Sequence, residues 1–236
     1  MKSVVQPTAP ACPNWTGFYV GAMGGYKFAA NDITLDLDGD WPTVPGFERL
    51  EATNSRNVDL SGPELGGLIG YNYQFNKWVV GVEASGAYLW VDDSNHFDGL
   101  TVNGDTYQGS TSLKTHYLAT VGPRLGYVFC KWLPYVTGGV AIGDIDFRQD
   151  FFAPFAGVRA GQSGSTDETK VGWMVGGGLE YTLSNHWRMR GQYQYIDFGS
   201  VDFNSIFVNP TQPNFSGQHK ASLREHNVSV ALVFGF

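Results

Sequence analysis

No stretch of this chain approaches the roughly 18 consecutive apolar residues that a membrane-crossing helix requires. Charged residues make up only 16% of its 236 positions, well below the share usual for a water-facing globular domain. Basic residues are scarcest, 15 Lys and Arg against 22 Asp and Glu, and the resulting net charge of −7 excludes nucleic acid as an expected partner. The five histidines, His96, His116, His186, His219 and His226, include no pair at helical metal-ligand spacing. Two cysteines, Cys12 and Cys130, say little about compartment by count alone. The first residues hold no apolar run of the length that a secretory leader needs, so the leader of an exported form is expected to be missing from this numbering.

A missing apolar helix does not exclude a membrane protein. A barrel strand crosses with about 9 to 11 residues of alternating polarity and leaves a weak hydropathy signal. What the chain has in plenty fits that case: 15% aromatic residues and 31 glycines. The last segment, LREHNVSVALVFGF, sets Val228, Val230, Leu232, Phe234 and Phe236 on one face. Asn227, Ser229, Ala231, Val233 and Gly235 fall on the other, so the period is two.

The same alternation recurs along the chain. Phe18, Val20, Tyr26 and Phe28 oppose Tyr19, Met23 and Lys27; Leu65, Ile69, Tyr71 and Tyr73 oppose Glu64, Leu68 and Asn72. Further strands begin at Trp78, near His116, at Trp132, near Val171 and at Trp187, which makes eight in all. Tight connections at Asn76-Lys77, Cys130-Lys131 and 183–186 alternate with long polar ones at 32–59, about 21 residues from Asp92, 147–169 and 199–222. Long loops on one side and tight turns on the other predict an all-β, eight-stranded antiparallel up-and-down transmembrane barrel with extracellular loops and periplasmic turns. Residues 1–14, with three prolines, read as a periplasmic tail and residues 15–236 as the barrel.

Two aromatic belts are expected at the bilayer interfaces, with Trp78, Trp132 and Trp187 near the tight turns and Tyr88 and Trp90 near the long loops. Alternation points Glu64, Glu83, Arg124, Glu180, Arg188 and Arg190 inward. Eight strands leave a lumen that side chains just fill, so these charges are expected to form an ion-paired plug, Glu83, Arg124, Glu180 and Arg190 at similar depth. The alternative is a narrow porin-like channel. Inward glycines such as Gly25, Gly70 and Gly178 would let large residues fold across. His116 is read as inward, and Pro123 as the mark of a local bulge.

The segments NWTGFYVGAMGGY, LPYVTGGVAIG, VGWMVGGGLEY, QYQYIDFG and VALVFGF together resemble the porin-like outer-membrane immunogenic proteins of alphaproteobacteria and their relatives. The resemblance implies an eight-stranded barrel in the outer membrane of a Gram-negative bacterium. It also implies that the terminal aromatic Phe236 serves as a signal to the barrel-assembly machinery, and it leaves activity open, since roles in that family vary.

No cofactor is expected, and no enzyme activity. Ser229 and His226 lie near one another in sequence, but alternation puts them on opposite faces, so no nucleophile and base can meet. Asp36, Asp38 and Asp40 resemble the start of a calcium loop, yet Gly39 is misplaced and the twelfth-position Glu is missing. Cys12 and Cys130 both fall on the periplasmic side, where disulfides form. A bridge between them needs the tail to cross the barrel mouth, and an intermolecular bond or free thiols remain open. Expected partners are outer-membrane lipid and lipopolysaccharide, the assembly machinery, neighbouring barrels met through loop residues such as Phe151, Phe152 and Phe203, and peptidoglycan or another periplasmic partner met through the tail. The role expected is structural or interactional at the cell surface.

Overall fold

The computed structural model describes residues 12–39, 56–100, 106–155, 158–206 and 215–236. Its eight strands are β1 (Gly17–Gly39), β2 (Arg56–Phe75), β3 (Trp78–Leu100), β4 (Thr106–Tyr127), β5 (Trp132–Phe155), β6 (Val158–Thr182), β7 (Trp187–Ile206) and β8 (Phe215–Gly235). They pair antiparallel in chain order, and β8 returns to β1, with Val20 opposite Phe234 and Tyr26 opposite Val228. Closure leaves no edge strand, so the ladder is satisfied all round without water, as a bilayer interior demands.

Period two decides which side chains meet lipid. Phe18, Ile69, Val82, Val136, Val175 and Val230 are exposed outside, while the sequence neighbours Tyr19, Leu68, Tyr135, Met174 and Ala231 are buried in the lumen. The tight-turn belt is built of pairs, Trp78 with Tyr127 at 5.1 Å, Trp132 with Tyr181 at 4.5 Å and Trp187 with Phe234 at 5.2 Å between ring centroids. At the other end Tyr88 meets Trp90 edge-on at 5.0 Å, and Trp173 meets Tyr195 at 5.5 Å. Asn76 and Cys130 turn the chain with φ of 56° and 52°, a conformation Asn tolerates well.

Several expectations are corrected. The strands run 20 to 25 residues, about twice what a bilayer needs. Much of what read as long loops therefore continues the ladder: Asp32 pairs with Asn57, and β5 and β6 stay paired as far as Phe155 and Val158. Beyond the lipid neither face must be apolar, so the period-two signal fades while the backbone ladder persists. Asp36 and Asp38 accordingly sit in β1 opposite Gln218 and Ser216, not in a loop that wraps a cation, and Asp40 lies outside the described residues. Phe151 and Phe152 fall on β5 and Phe203 on β7. Residues 1–11 of the expected tail also lie outside the described residues.

Pro123 makes no bulge. Val121 pairs with Val140 and Arg124 with Thr137 in one unbroken register, and between them the Thr137 hydroxyl donates to the Pro123 carbonyl at 3.0 Å. An irregularity falls instead between Lys114 and Leu118, which turns His116 outward. There Asp144 Oδ1 accepts the amides of His116 at 2.9 Å and Tyr117 at 2.7 Å, and its Oδ2 accepts from the His116 imidazole at 2.9 Å. The extra residue breaks the parity on which the inward reading of His116 depended.

Candidate functional site

The lumen is where this barrel gathers its chemistry, and it is layered. At the tight-turn mouth a disulfide joins Cys12 to Cys130 across 118 residues. Cys130 sits in the turn between β4 and β5, so the bond carries the segment before β1 over the opening. Trp15 follows three residues later and is fully buried against Val79, Val128 and Leu133. The Arg188 guanidinium lies 4.6 Å from the centre of its ring, a cation–π contact inside the mouth. Trp15 donates its amide to Gln74 Oε1 at 2.9 Å, and the Gln74 amide donates to Thr16 Oγ1 at 3.0 Å.

Above this cap lies a layer of four charges. Arg124 Nη2 is 2.6 Å from Glu180 Oε1 and its Nη1 is 3.2 Å from Glu83 Oε2. Arg190 bridges the same two carboxylates, at 2.6 Å to Glu180 and 2.7 Å to Glu83. Two guanidiniums and two carboxylates thus alternate, and the quartet is electrically neutral. Alternation matters because a buried charge without an opposite neighbour is costly, whereas a completed network is tolerated. Two tyrosines frame it. Tyr19 donates to Glu83 at 2.6 Å and accepts from Arg124 at 3.0 Å, while Arg124 lies 4.0 Å from the centre of the Tyr135 ring. Tyr135 in turn donates to Gln192. Small neighbours make this possible: a methyl on Gly178 would stand 2.7 Å from Tyr135 Cζ, and one on Gly70 would fall onto the Tyr19 ring.

Tyr19 also belongs to the next stratum, an apolar one of Met23, Leu68, Ala87, Ala231 and Val233. Toward the far end a second ionic group follows. Lys27 Nζ is 2.6 Å from Glu225 Oε1, both buried, and Asn227 donates to Glu64 Oε2 at 2.8 Å. Glu64 reaches Asn227 by lying across Gly25, where a methyl would stand 2.6 Å from Glu64 Oε1.

Of the six charges read as inward, the four placed at similar depth meet. Glu64 belongs to the second group, and Arg188 lies over Trp15 at the mouth. Sequence reasoning missed Tyr19, Tyr135, Trp15, Lys27, Glu225 and Asn227 as members. The signal for Lys27 and Glu225 was present, since both hold inward parity. Ser229 is buried in the lumen, whereas His226 faces out, its Nδ1 2.6 Å from the Tyr193 hydroxyl. Phe236 is exposed and donates its amide to the Phe18 carbonyl at 3.0 Å.

Residues 3–236 match the family model described as "Outer membrane protein beta-barrel domain". The 31 kDa outer-membrane immunogenic protein of Brucella melitensis is 28% identical, over 99% of this chain and 90% of that protein. The 22 kDa outer membrane protein of Rhizobium leguminosarum bv. viciae is 29% identical, over 84% and 70%. Among solved structures, Neisserial surface protein A superposes over 94% of this chain and 98% of that one with a TM-score of 0.36 and 12% identity, too slight a likeness to bear on function.

Proposed function

Because the chain belongs to the outer membrane protein β-barrel domain family, we propose that it acts in the outer membrane as a structural and surface-contact barrel with a shut lumen, and not as an enzyme. The tight turns then face the periplasm and the long hairpins the outside. The quartet of Glu83, Arg124, Glu180 and Arg190 carries this reading. With Tyr19 and Tyr135 it draws on six of the eight strands, and its charges are spent on one another, leaving none free to pass an ion along. Trp15 and the apolar stratum around Met23 support it from below and above.

Contact is then left to the outside of the molecule. Lipid and lipopolysaccharide meet the belts, the hairpin ends meet neighbouring barrels or other surface partners, and the tail meets peptidoglycan or a periplasmic partner. Phe236, exposed at the seam of the barrel, is the residue we assign to recognition by the assembly machinery. Planar-bilayer conductance of the purified chain tests the shut lumen. Silence is the expected result. Stable selective openings that vanish on charge changes at Arg124 or Glu83 would instead make the protein a narrow pore.

A further inference from the structure

We infer that residues 12–16 are a hinged cover over the periplasmic mouth, and that the Cys12–Cys130 disulfide is the lock whose reduction lets the cover swing away. Three observations fit together. The lock is on the outside: both cysteines are exposed to solvent. The bolt is on the inside: Trp15, three residues from Cys12, has no exposed surface and rests between Val79, Val128 and Leu133 with Arg188 over its ring. The hinge lies between the cover and the barrel. Gly17 opens β1 with a φ of +142°, a conformation that side-chain-bearing residues rarely adopt. A methyl there would stand 3.0 Å from the Phe236 carbonyl oxygen.

While the bond holds, Cys12 cannot leave the β4–β5 turn, and Trp15 has no room to move. Once it is cut, what holds the cover among the described residues is the indole contacts and the hydrogen bonds that link Trp15 and Thr16 to Gln74. The reductant required is a dithiol. One of its thiolates attacks a sulfur of the bond and forms a mixed disulfide, and its second thiol displaces that sulfur. The dithiol gives up two electrons and two protons and becomes a disulfide, and Cys12 and Cys130 become thiols. Swinging out uncovers a vestibule with apolar walls and one guanidinium, Arg188. The charged quartet lies deeper, so opening the cover makes no path through the barrel; that last clause alone rests on the shut-lumen reading.

The test uses the full chain, folded in detergent micelles, with 5-fluorotryptophan in place of tryptophan. The fluorine resonance of residue 15 is identified by its loss in Trp15→Phe. A water-soluble paramagnetic chelate is then added before and after treatment of the folded protein with a small dithiol in excess, and to a Cys12→Ser variant. The resonance should survive while the disulfide is intact and broaden away once it is reduced or cannot form. A resonance that stays shielded in both the reduced protein and Cys12→Ser overturns the inference, because packing alone would then hold the cover. Conductance of the same reduced preparation bears only on the quartet, so failure of the lock and failure of the shut lumen are told apart.

Discussion

Arg124 on β4 and Glu180 on β6 are joined at 2.6 Å although β5 runs between their strands. A bond that skips a strand cannot be a ladder contact; it is a chord across the lumen. It ties the first half of the barrel to the second, and Arg190 and Glu83 draw a further chord beside it.

Breaking the chord on one side should cost more than removing it. Glu180→Ala leaves two buried guanidiniums sharing Glu83 alone, and removal of one partner of a buried pair typically costs about 3 to 5 kcal/mol. Pairing it with Arg124→Leu should recover a large part of that loss. Urea unfolding of the single and double variants in micelles measures the coupling, and equal losses in both would contradict it.

Truncating Trp15 should loosen the mouth. Trp15→Ala removes an indole with no exposed surface, and large-to-small changes of this kind cost about 3 to 5 kcal/mol. The loss should appear as faster hydrogen exchange at the Gln74 amide, which bonds Thr16, with β8 unaffected.

Two glycines should respond oppositely to the same added methyl. On Gly122 it would stand 2.8 Å from the Gly139 Cα across the β4–β5 pair, where backbone cannot yield, so Gly122→Ala should cost about 1 to 3 kcal/mol. On Gly86, which faces lipid, nothing lies within 4 Å, and Gly86→Ala should be nearly neutral. Comparing their unfolding midpoints settles the matter.

The Asp144 clasp should fail only in acid. It lies level with the outer aromatic belt, where Tyr117 pairs with Tyr88, at the outer rim of the membrane-spanning part of β4 and β5. Partial burial pushes its carboxyl up, but the Tyr117 amide, the His116 imidazole and the His116 amide outweigh this and hold it below its usual value of 3.8. A depressed folded value means the stabilisation is complete above that value and is lost as pH falls through the lower one. Exchange protection of the His116 and Tyr117 amides should therefore stay flat from neutral pH down to about 4 and collapse below it. Asp144→Asn should already lack part of it at pH 7, and matching profiles for the two proteins would refute the clasp.

Barrel and belts were legible because lipid imposes a rule on every second residue. From Trp78 through Val80 and Val82 the outward face must be apolar, and the tight turns mark where it restarts. Parity also placed Glu83, Arg124, Glu180 and Arg190 in the lumen. Counting from the tight turns put those four at a similar depth, but it did not say which of the remaining inward residues meet, because that depends on how far each strand is staggered against the next. That stagger separated Glu64 from the quartet and brought it to Asn227, and it set Lys27 against Glu225. Parity itself failed at His116, where one extra residue reverses the faces. Loop length failed for a different reason: above the lipid the rule lapses, so paired residues such as Asp32 and Asn57 look like coil.

The bond between Cys12 and Cys130 also changes how the polypeptide is connected. Residues 12 to 130 form a covalent ring that takes in β1 through β4, while β5 through β8 remain a linear thread. One protease cut anywhere in the ring leaves a single molecule, whereas one cut in the thread yields two fragments. Chain integrity is thus unevenly distributed: the first half of the barrel is redundant against scission and the second half is not.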